Sequence, residues 1–285
     1  MISGGKIGKT EMRNPDTMHI DRCQTDEVLR IIQRENEKAV KAVEAAIPQI
    51  AAACDAIARS MKNGGRLIYV GAGTSGRLGV LDAAECPPTF GVDPGLVTGI
   101  IAGGYECMVR ASENAEDSGE NGIADLKKIS LRKEDSVVGI SASGNARYVA
   151  DALSYAKSIG CVTAGITSNY GSRLDLEPDF SIVSDTGPEP ITGSTRMKAG
   201  TAQKIICNMI STTVMIKLGM VYENMMINLR PTNEKLRRRC VLIVSEILSC
   251  GEAEAEKRLS ENGWSIRAAV ESRDGLAATE SADFR

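Results

Sequence analysis

Between Thr25 and Met61 the apolar positions Val28, Leu29, Ile32, Ala39, Val40, Val43, Ala46, Ile47 and Ile50 recur at helical spacing, with Pro48 among them. Proline removes a backbone donor and clashes with the preceding turn, so the pattern predicts two helices rather than one. Gly64-Gly65 ends the second. The short apolar run 66–70 then enters a glycine-rich loop and a further helical stretch, which is a strand, loop, helix unit. Other runs of strand length lie at 96–102, 136–141, 161–167 and 180–184, with helical patterns between most of them. Such alternation predicts an α/β fold with a parallel sheet covered on both faces by helices.

From Arg196 onward every signal is helical, at 199–218, 232–248, 252–260 and 265–271, with Asn262-Gly263 separating the last two. The short amphipathic pieces predict a small helical appendage, and the weakly patterned residues beyond Arg273 a loosely held tail. The expected organisation is an N-terminal helical segment packing on the core (1–62), an α/β domain (63–230) and a C-terminal helical subdomain (231–285).

Composition narrows the chemistry. The 285 residues carry 34 basic against 37 acidic side chains, a formal charge of −3, which leaves no strong field to draw the chain onto nucleic acid or an anionic membrane. A lone histidine, His19, argues against zinc sites and imidazole-based nucleophilic catalysis, so proton transfer falls to Glu, Asp, Lys, Tyr or water. The eight cysteines are scattered without a CxxC and read as reduced thiols of a cytoplasmic protein. The polar stretch 1–22 lacks the apolar core of a secretory signal, and no segment has the length of a membrane span.

Gly71-Ala72-Gly73-Thr74-Ser75-Gly76 fits GxGxxG after a strand, yet the acidic residue that should close the next strand of a dinucleotide fold is missing, because 96–102 ends in Gly103-Gly104. Three loops rich in small hydroxyl residues, Thr74-Ser75-Gly76, Ser141-Ala142-Ser143-Gly144 and Thr192-Gly193-Ser194-Thr195, each follow a predicted strand. Backbone amides and hydroxyls at helix starts bind an anion, so their recurrence points to a sugar phosphate, although any one loop alone reads equally as a cap or turn. No GxxxxGK[ST] occurs. Among carboxylates, Glu85 precedes Cys86-Pro87-Pro88 and is expected at an abrupt helix end, and Glu116 lies in the acidic cluster 113–118. Spacing alone leaves both open between catalysis and a solvated surface.

The run from Val70 through Gly71-Ala72-Gly73-Thr74-Ser75-Gly76-Arg77 and Asp82-Ala83-Ala84-Glu85-Cys86-Pro87-Pro88 to Gly91 closely resembles the signature of N-acetylmuramic acid 6-phosphate etherases, members of the sugar isomerase (SIS) fold. Thr10-Glu11-Met12-Arg13-Asn14, Ala115-Glu116-Asp117, the stretch from Thr192 to Lys204 and Pro231-Thr232-Asn233-Glu234-Lys235-Leu236 extend the resemblance over nearly the whole chain. It implies a doubly wound, flavodoxin-like parallel sheet with a small C-terminal helical subdomain, in a homodimer. It also implies cleavage of the D-lactyl ether to N-acetylglucosamine 6-phosphate and D-lactate during cell-wall sugar recycling, without metal or redox cofactor. Carried over by position, Glu85 resembles the family's proton donor and Glu116 its second active-site carboxylate. Thr74, Ser75, Gly76, Ser143, Gly144, Ser194, Thr195 and Lys198 match the sugar-phosphate loops. The family's Ser-Gly-Arg-Thr-Pro-Tyr reads here Ser143-Gly144-Asn145-Ala146-Arg147-Tyr148, a departure at the phosphate loop.

Ethers resist hydrolysis, but in the open-chain sugar the lactyl ether lies β to the aldehyde, so loss of the carbon 2 proton permits elimination, and water then adds to the enal. That needs a base, an acid and an activated water, with positioned proton transfers each contributing roughly 10²–10⁴ in rate. The same fold also hosts sugar-phosphate isomerases and non-catalytic sugar-phosphate sensors; a sensor needs no acid–base pair. The Thr10–Asn14 motif, or the 199–218 helix, is a candidate to close the site across a dimer.

Overall fold

The computed structural model describes residues 8–110, 114–229, 231 and 233–272; Glu113 of the acidic cluster and the tail beyond Ser272 lie outside them. By packing, the chain divides into two units, residues 1–84 with 95–211 and residues 85–94 with 212–285.

In the first unit, short 3-10 turns at Lys9–Glu11, Pro15–Thr17 and Ile20–Arg22 lead into α1 (Thr25–Ala45) and α2 (Ile47–Lys62). Pro48 falls in the first turn of α2, where its missing N–H leaves no bond unmade. There follow β1 (Leu67–Gly71), α3 (Gly73–Phe90), β2 (Val97–Ile101), α4 (Glu106–Val109), α5 (Gly119–Lys128), β3 (Ser136–Ile140), α6 (Arg147–Ser158), β4 (Val162–Thr167), α7 (Arg173–Leu176), β5 (Phe180–Val183) and α8 (Lys198–Lys217). All five strands are parallel in the order β2-β1-β3-β4-β5. Every residue of β1 and β3 is buried, as a sheet covered on both faces requires.

Ile68, Val70, Val137, Leu126, Tyr148, Val149 and Leu153 form one buried cluster in which α5 and α6 meet the sheet. On α8, Ile206 and Ile210 are buried, and the carbonyl of Cys207 accepts the Tyr69 hydroxyl at 3.3 Å. At the amino ends of β1 and β3, Asp135 accepts from the Arg66 amide (3.0 Å), its Nε (3.1 Å) and its Nη2 (2.6 Å), and from the Arg132 amide (2.9 Å). Burial opposes the charge, but these donors outweigh it and hold the Asp135 carboxyl below the usual carboxylate range.

Glu85 is not at a helix end. Helix α3 continues through Pro87 and Pro88 to Phe90, with proline's fixed φ suiting a helix while its lost bonds and ring clash count against it. Cys86 and Phe90 are buried, and the helix stops instead at Gly91 (φ 66°), whose amide donates to Pro87 O at 2.9 Å. A Cβ there would lie 1.7 Å from Asn228 O, so only glycine fits.

The second unit contains a hairpin of two-residue strands, β6 (Val221–Tyr222) and β7 (Met225–Met226), which the helical reading of this region did not foresee. Its turn places Glu223 at φ 49°. Helices α9 (Glu234–Leu248), α10 (Glu252–Glu261) and α11 (Ile266–Glu271) close over Cys240, Val244, Leu259, Ile266 and Ala269. Asn233 and Ser265 cap α9 and α11 through bonds to the amides of Leu236 (2.9 Å) and Ala268 (3.2 Å).

Candidate functional site

Strand order reverses between β1 and β3, and open α/β sheets bind ligands in the crevice beyond the carboxyl ends of the strands at such a point. Gly71 pairs with Ile140, so the loops that follow these two strands start side by side. In the first, a Cβ on Gly76 would lie 2.7 Å from Gly71 O, and one on Gly71 would lie 2.6 Å from Gly76 N. The glycines thus let α3 start hard against the strand end. The amides of its first turn have no partner within the helix and carry its positive dipole end. Thr74 is half-buried, and buried Ser75 donates its hydroxyl to Gln203 Oε1 on α8 at 2.9 Å.

The second loop is held from behind. Ala142 O accepts from the Ser168 amide (3.1 Å), Asn169 Nδ2 (2.9 Å) and Thr167 Oγ1 (3.3 Å). Because the peptide is planar and trans, anchoring that carbonyl turns the Ser143 N–H the opposite way. Gly144 has φ 72°, and a Cβ there would lie 2.1 Å from Ser172 Oγ. Its amide bonds Ser141 O (3.1 Å) and Ser141 Oγ (3.2 Å), while the exposed Ser143 Oγ lies 3.3 Å from Ser141 Oγ and accepts from the Asn145 amide at 3.3 Å. Asn145, one of the departures from the family pattern, ties the loop to α7 by accepting from the Arg173 amide at 3.1 Å.

The third hydroxyl loop is placed differently from the expectation. Thr192–Thr195 does not directly follow a strand but belongs to the long connection from β5 to α8. The amino end of α8 is already occupied, since Glu189 Oε2 and Oε1 accept from the amides of Lys198 and Ala199, both at 2.9 Å. Burial pushes the Glu189 carboxyl up despite those bonds. Lys198, matched above to a phosphate ligand, is fully buried, and its Nζ donates to Glu35 Oε2 at 2.5 Å. A Cβ on Gly200 would lie 3.4 Å from Thr74 Cγ2, so the start of α8, just after Ser194 and Thr195, abuts the first loop.

The Thr10–Asn14 motif packs on its own chain. Thr10 Oγ1 accepts from Asn169 Nδ2 (3.1 Å), and Asn14 Nδ2 donates to Glu35 Oε2 (2.8 Å) and Pro188 O (3.1 Å). Thr17 Oγ1 donates to Pro190 O at 2.9 Å, and Lys9 pairs with Asp185. The segment is a strap over the loops after β4 and β5. Asn169, Glu189 and Glu35 went unnoticed in the sequence, where they read as ordinary polar residues, and Gln203 entered only within the family stretch from Thr192 to Lys204.

Glu116 lies on a 3-10 turn, Ala115–Asp117, in the connection from β2 to α5. Its carboxylate is exposed, and neighbouring Ala115 packs on the core. Glu85 is also exposed.

Residues 49–157 match the glucokinase regulatory protein N-terminal SIS domain, and residues 111–212 the SIS domain. The N-acetylmuramic acid 6-phosphate etherase of Caldanaerobacter subterraneus subsp. tengcongensis is 54% identical over 92% of this chain and 85% of its own length. Those of Halalkalibacterium halodurans (51%, over 92% and 88%) and Pasteurella multocida (48%, over 92% and 87%) are similar. Among solved structures, one from Escherichia coli CFT073 gives a TM-score of 0.51 at 18% identity, covering 70% of this chain and 95% of the other. A phosphoheptose isomerase from Francisella tularensis covers 67% and 99% at a TM-score of 0.49, and the one from Neisseria gonorrhoeae 67% and 98% at 0.50; both are 16% identical to this chain.

Proposed function

Since the chain belongs to the N-acetylmuramic acid 6-phosphate etherase family, we propose that it cleaves the D-lactyl ether of that sugar phosphate, acting as a carbon–oxygen lyase that yields N-acetylglucosamine 6-phosphate and D-lactate. The observation that carries the reading is the pair of small-residue loops, 71–76 and 141–145, side by side at the β1/β3 reversal. They offer first-turn amides, the Ser75 and Ser143 hydroxyls and the Ser143 N–H to a phosphate, while Ser194 and Thr195 flank the first loop.

With the phosphate held there, Glu116 takes the carbon 2 proton of the open-chain sugar. Electrons from that bond form the carbon–carbon double bond as the ether oxygen leaves, and Glu85 protonates the departing lactate. Water then adds at carbon 3, and carbon 2 is reprotonated. Each carboxyl thus has to pass between acid and base.

The site is completed by a second copy of the chain. Glu85 is exposed, and so open to a partner copy. In this reading Glu85 of one protomer serves the phosphate loops of the other. No described helix is long and apolar enough to cross a membrane, and none of the eight cysteines forms a disulfide, which supports a cytoplasmic place.

Incubation of the protein with N-acetylmuramic acid 6-phosphate tests the reading. D-lactate and N-acetylglucosamine 6-phosphate should appear in equal amounts, with solvent deuterium at carbon 2, and the unphosphorylated sugar should be inert. Tight binding of the sugar phosphate without lactate release would make the chain a sensor instead.

A further inference from the structure

Ser75 as the structure holds it is turned the wrong way for a phosphate. Its hydroxyl proton is given to Gln203 Oε1 at 2.9 Å, which leaves the oxygen only lone pairs to face an anion. Gln203 is 1% exposed, and its Nε2 has no hydrogen-bond partner among the described residues. A buried donor without a partner costs stability, so this arrangement carries a penalty. Half a turn about the last side-chain bond exchanges the oxygen and nitrogen without changing the shape of the group. Nε2 then donates to Ser75 Oγ, and the Ser75 proton is released towards the loop crevice.

We propose that Gln203 is a positioning residue that sets the direction of the Ser75 hydroxyl. In the orientation the structure holds, its amide oxygen takes the Ser75 proton; with the amide turned, its N–H₂ holds Ser75 Oγ and Ser75 donates to the phosphate. No bond is made or broken beyond hydrogen bonds. A glutamine suits this role because one amide offers both an acceptor and a donor. The inference rests on the phosphate assignment of the first loop, but concerns a residue outside it.

The test is a double-mutant cycle read by calorimetric binding of N-acetylglucosamine 6-phosphate and of N-acetylglucosamine to the full chain. Gln203→Met should weaken the phosphorylated ligand about 10-fold, as expected for a lost hydrogen bond to a charged group, and leave the unphosphorylated sugar unaffected. In a Ser75→Ala background the same substitution should cost nothing more. Gln203→Glu, of equal size, should bind worse than Gln203→Met at neutral pH. It should recover relative to wild type as acidification gives its carboxyl a donor hydrogen. If Gln203→Met misfolds, Gln203→Glu alone decides, through that pH dependence. Additive losses in the cycle, equal weakening of both sugars, or a Gln203→Glu deficit that ignores pH would each overturn the proposal. Wild-type protein that binds the phosphorylated sugar but releases no lactate would sink the proposed reaction while leaving this test intact.

Discussion

Ser143 stands exposed on a loop whose backbone cannot move far, because Ala142 O is held by three donors and Gly144 admits no side chain. Ser143→Ala should therefore act on the ligand rather than on the fold. We expect N-acetylglucosamine 6-phosphate to bind roughly 10- to 100-fold more weakly and the unphosphorylated sugar to bind as before, and calorimetry with both ligands checks this. Glu189 makes a prediction of opposite sign to most carboxylates. Its folded pKa is raised above the unfolded value, so its ionisation costs stability as pH rises from the usual carboxylate value to the raised one. Glu189→Gln should remove that decline from the pH profile of the melting temperature. That Ser75, Ser143 and Gly144 sit in loops directly after strands was legible because a strand followed by a small-residue loop is a local pattern. The burial of Lys198 against Glu35 was not legible, because the two are 163 positions apart and spacing along a chain says nothing about such a pair.

The N-terminal strap holds the 141–145 loop, proposed above to bind phosphate, through one relay, from Thr10 to Asn169 to Ala142 O. Thr10→Val keeps the shape and deletes the acceptor, so it should raise KM several-fold with kcat nearly unchanged; equal KM values would mean that the strap only covers the loops. At the far ends of the strands, the folded Asp135 pKa is lowered, so its stabilising charge is fully present above about pH 4 and is lost as pH falls through the lowered value. Asp135→Asn should lower stability by about 3 kcal/mol at neutral pH, as breaking a buried pair does, and flatten the acid limb, measured by urea unfolding across pH. At this scale the strands were the most readable elements, since a strand buried on both faces is a bare apolar run between turn residues. Helix α3 was cut short because the proline penalty is local, whereas buried Cys86 and Phe90 and the stop at Gly91 depend on residues far along the chain. The β6–β7 hairpin has two-residue strands, too short for alternation to register.

For the molecule as a whole, the motifs that carried the family resemblance run from Thr10 to Leu236, and the chain's relatives match it over more than nine-tenths of its length. That breadth makes the chemistry readable where no single motif would. What pattern alone could not supply is which copy's Glu85 would serve the proposed pocket. Glu85 is exposed, and the proposal above has it serve the loops of a second copy. Mixing Glu85→Gln protein with Ser143→Ala protein, at a substrate concentration low enough that each is nearly inactive alone, and assaying D-lactate release after subunit exchange tests this most directly. A shared pocket predicts recovery to about a quarter of wild-type activity, because half the dimers are mixed and each has one intact site of two. No recovery, in mixtures shown to contain mixed dimers, would put Glu85 and Ser143 in the same chain's pocket and contradict the account.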